Sequence, residues 1–306
     1  MKNEAVDALE CRDGLVYVDC TLGGGGHSGL ILSRIPNGKL IAFDVDQDAV
    51  DAASERLKGY KNLTIVKDSY TNIKNVLQNL GIEKITGGVL FDLGASYHQL
   101  TSRERGFSFS KEAPLDMRFN RDSDFSAYDV VNGYSRDDLT RIFSEYGEER
   151  FSKRIADAIV NARRADPINT TTELARLIIG SAPKIKSSIH PATRVFQAIR
   201  IEVNQELKNI KNTLNDVLAL LDFGAIISVI SFHSLEDRLV KQVFKYHSCR
   251  CHCDKTRMIC NCPPPVLEMV NKKPITASEQ ELKENPPSRS AKLRAARCIR
   301  RQNKTE

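Results

Sequence analysis

Four consecutive glycines at positions 23–26 constrain this chain more than any other feature of its sequence. Apolar residues at 15–18 precede them and a helical spacing of apolar residues at 30–35 follows, which predicts a strand, a tight turn and a helix. Glycines at such a turn allow positive φ angles and let a ligand lie against the main chain. The stretch therefore predicts the first strand–turn–helix unit of an α/β fold, with a ligand at the turn.

A carboxylate at position 44 favours a nucleoside ligand at this turn. Asp44 follows a second predicted strand at 40–43 and lies about 20 residues beyond the glycines, where it can accept hydrogen bonds from a ribose diol. The dinucleotide pattern G-x-G-x-x-G fails at Ser28, and no Lys-Ser/Thr pair follows to form a P-loop. Asp19 would repel a pyrophosphate but suit the ammonium and sulfonium of S-adenosylmethionine. A ligand-free turn, with Asp44 only flanking a helix, is the less favoured alternative.

Polar residues also follow the later predicted strands at 63–66, 88–91 and 225–230. Alternating strands and helices predict a parallel, doubly wound sheet, which binds ligands beyond the carboxyl ends of its strands. Tyr70 could cover an adenine or pack beside its helix, and Asp92 could line the pocket or form a turn before Gly94. His233 is the first candidate for contact with a substrate base or for proton handling, against a structural role at the adjoining helix cap.

The alternation of strands and helices stops for about a hundred residues between the fourth and fifth strands. An Arg- and Phe-rich loop at 103–120 is followed by amphipathic patterns, which predict a helical insertion beside the pocket. We therefore predict residues 1–103 as the first part of the α/β domain, 104–206 as an all-helical insertion that binds substrate, and 207–306 as the second part. For the segment 291–299, a closing strand and a basic helix both remain open.

The net charge of +6 and the isoelectric point near 8.8 suit a polyanionic partner but also fit an ordinary charged surface. Two basic clusters favour nucleic acid. The first contains Arg103, Arg105, Arg118 and Arg121, and the second contains Arg289, Lys292, Arg294, Arg297, Arg300, Arg301 and Lys304. No run of 18 apolar residues predicts a membrane span, and the N-terminus lacks an apolar signal region, which favours the cytoplasm.

A cysteine-rich insert is predicted at 247–262. It contains Cys249, Cys251, Cys253, Cys260 and Cys262, together with His247 and His252. Clustered thiols in a cytoplasmic chain suggest a metal rather than disulfides, but the spacing differs from the C-x₂-C of standard zinc sites. A thiophilic metal site and a reduced loop without metal both remain open, and the predicted site residues include no metal ligand.

Seven segments of the sequence resemble the small-subunit ribosomal RNA methyltransferase H family, also called RsmH or MraW. They are VDCTLGGGGHS, VLFDLGAS, QLTSRERGFSF, PLDMRF, YGEERFSKRIA, HPATRVFQAIRIEVNQEL and ISFHSLEDRLVK. The resemblance implies a class I S-adenosylmethionine-dependent methyltransferase, with a Rossmann-like doubly wound sheet and an inserted all-helical domain. It places cofactor contacts at Gly25, Gly26, His27, Asp44, Tyr70, Asp92 and Gln99. Spacing alone does not suggest Gln99, and for His27 a role through its backbone N–H at the helix start is the favoured interpretation.

The resemblance also implies a substrate, the exocyclic N4 amine of a cytosine in the decoding region of 16S ribosomal RNA, near the P site. Asp92 or a neighbouring acceptor would localise the amine lone pair, and Arg103, Arg105, Arg118 and the C-terminal cations would hold phosphates. Free RNA and the assembled small subunit remain open as partners, as does the oligomeric state. A methyltransferase for a protein or small molecule, and a non-catalytic RNA-binding factor, are the alternative functions.

Overall fold

The computed structural model describes residues 1–102, 104–181, 190–251, 253 and 262–300. The chain forms two compact units, of which the first contains Met1–Gly94 and Leu207–Glu306 and the second contains Ala95–Glu206. The second unit therefore begins before position 104, where the helical insertion was predicted to start. Ala95 and Leu100 belong to it because they pack against its helical core.

Five parallel strands form the centre of the first unit. They are β1 (Val16–Asp19), β2 (Lys39–Asp44), β3 (Leu63–Lys67), β4 (Gly88–Asp92) and β5 (Ile226–Ser231), in the order β3-β2-β1-β4-β5. Residues along β2 alternate between two apolar clusters, with Leu40 and Ala42 in one and Ile41 and Phe43 in the other. Both faces of the sheet are therefore buried at β2, and burial on both faces explains why the parallel strands have apolar sequences. The predicted α/β class and doubly wound core are confirmed.

The remaining strands make the sheet mixed rather than wholly parallel. They are β6 (Leu267–Met269), β7 (Ile275–Thr276) and β8 (Lys292–Cys298). β8 is antiparallel to β5, and β6 and β7 are antiparallel to β8. Lys292 pairs with Ser231, so β8 starts at the end of the sheet where β5 finishes and must run in the opposite direction. The segment that was open between strand and basic helix is thus a strand.

Helices account for most of the other regular structure. In the first unit they are α1 (Lys2–Asp7), α2 (Gly26–Arg34), α3 (Gln47–Leu57) and α4 (Ile73–Asn79). In the second they are α5 (Tyr97–Thr101), α6 (Ala127–Gly133), α7 (Arg136–Glu145), α8 (Ser152–Ala162), α9 (Thr171–Ser181) and α10 (Ala192–Asn204). They are followed by α11 (Glu206–Leu220), α12 (Ser234–Ser248) and α13 (Glu279–Glu284). None of the helices in the described part of the chain combines the length and the apolar character of a membrane span.

The loop that precedes α6 is held by specific hydrogen bonds in the second unit. Between Ser102 and Ser126 the described residues contain no helix or strand, only an isolated bridge from Pro114 to Thr170. The Asn204 side chain donates to the Met117 carbonyl and accepts from the Phe119 N–H, both at 2.7 Å. A segment without hydrophobic periodicity is thereby fixed on the helical core.

Candidate cofactor and active site

The glycine turn connects β1 to α2 and requires glycine at its centre. Gly23 and Gly25 have φ angles of 48° and 73°, in the left-handed region that favours glycine. A Cβ atom on Gly25 would lie 2.9 Å from Leu57 Cδ1, so any side chain would also collide with α3. A Cβ atom on Gly24 would meet no heavy atom within 4 Å. The turn is thus packed on one side and open on the other, and the N–H groups of Gly26 and its neighbours begin α2 there.

Asp19 is held inside the turn by hydrogen bonds, and its predicted preference for a cationic ligand stays a prediction. Its side chain is fully buried; Oδ1 accepts the Thr21 N–H at 3.1 Å and Oδ2 accepts the Ser28 hydroxyl at 2.7 Å. Burial raises the pKa of Asp19, and these hydrogen bonds oppose that rise. Thr21 and Ser28 therefore matter to the site although the sequence analysis did not select them. Short hydroxyl residues are common at turns, so their identity alone gave no signal.

Asp44 lies at the end of β2 and hydrogen-bonds to the glycine turn. Its Oδ2 accepts the Gly23 N–H at 2.8 Å, and its Oδ1 accepts the Asp46 N–H at 2.9 Å. Burial raises the pKa of Asp44. Each carboxylate oxygen has a second lone pair, so the group can still accept from a diol. The structure thus brings Asp44 to the turn as expected, and its contact with the cofactor stays a prediction.

Asp92 and His27 form a polar pair beside the turn. Asp92 Oδ2 lies 3.7 Å from His27 Nδ1, and the Asp92 backbone N–H donates to Thr21 Oγ1 at 2.6 Å. Within the described part of the chain, Asp92 Oδ1 and His27 Nε2 are buried atoms without a hydrogen-bond partner. Burial raises the pKa of Asp92 to about 6 and lowers that of His27, where the Asp92 charge opposes the effect. The His27 side chain therefore lies beside Asp92, in addition to the backbone role favoured from the sequence, and its contact with the cofactor stays a prediction.

Tyr70 begins a short 3₁₀ turn after β3, and its half-buried ring packs on the sheet. The ring meets Phe91 of β4 edge to face, with the centroids 5.8 Å apart and the planes at 82°. This contact supports the packing interpretation of Tyr70. Stacking on an adenine stays a prediction, since a half-buried ring still has accessible surface.

His233 caps α12 through Nδ1, while its buried Nε2 forms no hydrogen bond in the described structure. His233 Nδ1 accepts the Glu236 N–H at 3.4 Å, and its Nε2 lies 3.1 Å from Glu236 Oε1. Glu236 is fully buried and accepts the Phe232 and His233 N–H groups in return, which completes a capping box. His233 is thus the N-cap residue of α12. A catalytic role for His233 stays a prediction, and it would have to use Nε2 or compete with the cap at Nδ1.

Gln99 belongs to the second unit, where it completes a capping box at the start of α5. Its Oε1 accepts the Ser96 N–H at 2.9 Å, and its own N–H donates to Ser96 Oγ at 3.2 Å. The residue is 6% exposed. Its side chain is thus fixed by the local helix start, and its contact with the cofactor stays a prediction.

Comparison with known proteins places the chain in a family. The pattern of the MraW methylase family matches residues 1–299. The chain belongs to this family. It is 52% identical over 298 residues to ribosomal RNA small subunit methyltransferase H of Caldicellulosiruptor bescii, a match that covers 97% of both chains. Proteins of the same name in Citrifermentans bemidjiense and Clostridium botulinum are 50% and 48% identical, covering 98% and 97% of this chain and 97% and 96% of theirs.

Membership in the methylase family confirms the resemblance found in the sequence. It also confirms the predicted methyltransferase class and S-adenosylmethionine as the cofactor. The residues described above fit such a cofactor. An open glycine turn, a carboxylate at the end of β2 and the buried Asp92 Oδ1 offer contacts to a nucleoside that carries positive charge.

The arginines of the second unit correct one prediction for this methylase. Arg105 is fully buried and donates to the carbonyls of Arg118 and Phe119 at 3.0 and 3.1 Å, so it is not placed to hold a phosphate. Arg118 forms a bidentate pair with Asp116 at 3.0 and 2.7 Å and also donates to the Ser123 carbonyl. Both arginines therefore hold the loop together. Arg103 lies outside the described residues.

The C-terminal cations are also engaged within the fold. Arg294 is 6% exposed and lies 2.7 Å from Asp237, which also pairs with Lys292 at 3.2 Å. Arg297 pairs with Glu10, and Arg300 donates to the Leu218 carbonyl. These contacts follow from the position of β8 in the sheet. Arg289 is exposed on the 3₁₀ turn before β8, while Arg301 and Lys304 lie outside the described residues.

Proposed function

We propose that this methylase transfers a methyl group to the N4 amine of a cytosine in small-subunit ribosomal RNA, in the decoding region of 16S RNA. Support for an RNA substrate comes from the relatives at about half identity, whose names state small-subunit ribosomal RNA methylation. The observation that carries the proposal is the buried Asp92 Oδ1 without a partner, next to the glycine turn. A cytoplasmic location fits such a substrate.

S-adenosylmethionine supplies the methyl group when it is bound. Asp44 would accept hydrogen bonds from the ribose diol of the cofactor, and the glycine turn would lie against the rest of the cofactor. The Asp19, Asp44 and Asp92 carboxyl groups create a negative potential there, which favours a cationic ligand over a pyrophosphate. Release of the neutral by-product would follow because this attraction is weaker once the positive charge is gone.

Asp92 is the residue best placed to act on the amine of the substrate. The lone pair of this amine is delocalised into the cytosine ring, so it is a weak nucleophile. An acceptor at Asp92 Oδ1 would hold an amine N–H and localise the lone pair on nitrogen. His27, 3.7 Å away from Oδ2, would fix the orientation of the carboxylate. With a pKa of about 6, Asp92 could also receive the proton that the product amine sheds.

The target cytosine must leave its stack in the RNA to reach the Asp92 carboxylate. Backbone phosphates would then be held by exposed cations rather than by Arg105 or Arg294, which are buried. Arg121 and Arg289 are examples of cations that are exposed, one in each unit. Binding should weaken as salt rises, by an amount that reports the number of phosphate contacts.

Transfer of tritium from labelled S-adenosylmethionine to small-subunit RNA tests the proposal. We expect label in the RNA and a methylated cytosine, with the methyl on N4, in nucleoside mass spectrometry. Asp92→Ala should abolish the label, whereas Asp166→Ala, which changes an exposed aspartate of the second unit, should leave it unchanged. Label in a protein or small molecule instead would favour another substrate. No transfer to any acceptor, with the cofactor bound, would favour a non-catalytic RNA-binding factor.

A further inference from the structure

The two ends of the segment between α12 and β6 lie close together. α12 ends at Ser248, and the Val266 N–H donates to the His247 carbonyl at 2.8 Å. The Ile299 N–H in turn donates to the Val266 carbonyl at 2.9 Å. The two ends of the segment are therefore closed by main-chain hydrogen bonds on the edge of the sheet.

Apolar packing does not hold the described part of the segment between α12 and β6 in place. None of its described residues from Cys249 to Pro265 belongs to an apolar cluster of the protein. Val266 is the first residue on the return that packs against one. The described residues of this segment thus gain no stability from apolar burial, and a crosslink or a bound metal is another source of folding energy for them.

Three thiols of the segment converge. The Sγ atoms of Cys251, Cys253 and Cys262 all lie within 4.8 Å of one another, and those of Cys253 and Cys262 are 3.3 Å apart. Tetrahedral zinc with Zn–S bonds of about 2.3 Å sets its sulfur ligands about 3.8 Å apart. The three atoms thus have the mutual spacing of zinc ligands. Cys251 comes from one side of the segment and Cys262 from the other, so one ion would tie both sides together.

The other described cysteines differ from these three. Cys20 and Cys298 are buried among apolar residues, and burial raises the pKa of the Cys20 thiol well above its usual value. A buried neutral thiol behaves as a small apolar side chain. Cys251 is exposed and Cys253 and Cys262 are half-buried, so a metal can reach them from solvent.

We propose that Cys251, Cys253 and Cys262 bind one zinc ion as thiolates and that this ion crosslinks the described residues that follow α12 to those that precede β6. Binding would release the thiol protons, and three negative sulfur ligands suit a borderline-soft divalent cation. Cys249 is the described candidate for a fourth ligand, and its Sγ contacts the Cys251 carbonyl at 2.9 Å. The site is structural, and the proposal does not depend on the methyl-transfer reaction.

Metal analysis of the full chain, purified under reducing conditions without chelator, tests this site. We expect about one zinc ion per chain by inductively coupled plasma mass spectrometry. Cobalt exchanged into the protein should give an intense thiolate-to-cobalt charge-transfer band. Cys253→Ser and Cys262→Ser should each lower the metal affinity at least about tenfold. Cys11→Ser, which changes a half-buried cysteine of the same unit outside the segment, should keep the metal and the band.

A second measurement covers the case in which the serine variants fold poorly. In the unmodified chain, alkylation of Cys251, Cys253 and Cys262 followed by peptide mass spectrometry should be slow with zinc and fast after chelation, while Cys11 should not respond. The proposal is wrong if zinc-supplied, reduced protein retains no metal and shows no cobalt band. It is equally wrong if alkylation of the three thiols is independent of chelator, or if freshly isolated protein contains a Cys253–Cys262 disulfide.

Discussion

Charged groups that were expected to face a ligand occur in two regions, the strand ends of the first unit and the loop before α6 in the second unit. The two regions differ in how far the hydrogen bonds of these groups are completed. Asp92 and His27 each keep a buried polar atom without a partner in the described structure. Arg105 instead donates through Nη2 to two main-chain carbonyls, although its buried Nε also lacks a partner in the described structure, and Arg118 pairs with Asp116 and donates to the Ser123 carbonyl. Neither charge alone nor one unpaired buried atom alone therefore marks a site; at Asp92 and His27 such atoms lie next to the open glycine turn.

The two regions should therefore differ in their effect on stability. A buried polar atom without a partner costs free energy of folding, and a ligand that supplies the missing contact offsets this cost. A buried arginine that donates to carbonyls stabilises the loop, because its removal leaves those carbonyls without a donor. Substitution of Asp92 should reduce activity without reducing stability, and substitution of Arg105 should do the reverse.

Asp92→Asn should have the largest effect on activity. We expect methyl transfer to slow by about 100-fold or more, because an amide is a weaker acceptor and cannot take the proton from the product. The free energy of unfolding should stay the same or rise, since a poorly solvated carboxylate is replaced by a neutral group of the same shape. Single-turnover kinetics and urea unfolding measure the two quantities, with Asp166→Asn as the control. Normal activity, or a parallel loss of stability, would break the contrast between the regions.

Arg105→Gln should show the opposite behaviour. We expect the free energy of unfolding to fall by about 2–3 kcal/mol, because the Arg118 and Phe119 carbonyls lose a buried donor. The slope of RNA affinity against salt should not change, since a fully buried guanidinium holds no phosphate. Denaturant unfolding and RNA titrations at several salt concentrations test this. A slope reduced by about 0.9 at unchanged stability would instead assign Arg105 to a phosphate contact.

The same contrast explains which parts of the molecule the sequence could predict. β1 to β5 and the glycine turn were predictable because apolar strands, glycines and helix signals recur in a fixed order along the chain. The antiparallel return of β8 was not, because its direction depends on where the chain re-enters the sheet. The burial of Arg105 was not predictable either, because an arginine in a loop has the same local sequence whether its side chain faces solvent or main-chain carbonyls.

The candidate site was predictable to a similar extent. Asp44 and Asp92 were found because each follows a strand, and strand ends meet at one edge of a parallel sheet. The inward direction of Asp19 and the cap formed by His233 depend on rotamers and on Ser28 and Glu236, which sequence spacing does not specify. A residue's position at an edge can thus be derived from the sequence, but the direction of its side chain cannot.

Asp44→Asn should have an intermediate effect that sharpens the comparison within the first unit. We expect the dissociation constant for S-adenosylmethionine to rise about tenfold, equivalent to losing one charge-assisted hydrogen bond, with little change in the rate at saturating cofactor. Asp51→Asn, on the exposed face of α3, is the matched control and should bind normally. Isothermal titration calorimetry measures the affinities. A rate defect that saturating cofactor does not relieve would mean that Asp44 acts in the chemical step.

The smallest expected effect is a pH dependence of cofactor affinity that belongs to Asp92. Burial raises the pKa of Asp92 to about 6, so the carboxyl group loses half of its charge near that pH in the unliganded protein. A cationic ligand prefers the ionised form, and affinity should therefore fall as pH falls, by about twofold at the pKa. Asp92→Asn should flatten this profile, whereas His27→Gln should keep it.

Stability should change with pH in the opposite sense. Because the folded-state pKa of Asp92 lies above the unfolded value, protonation stabilises the folded state. This contribution is fully present below the unfolded pKa and is lost as pH rises through about 6. We therefore expect the wild type to lose stability relative to Asp92→Asn as pH rises from about 4 to 7, measured as the difference in their free energies of unfolding. A difference independent of pH would show that the Asp92 carboxyl is well solvated, and the contrast with Arg105 and Arg118 would then lose its physical basis.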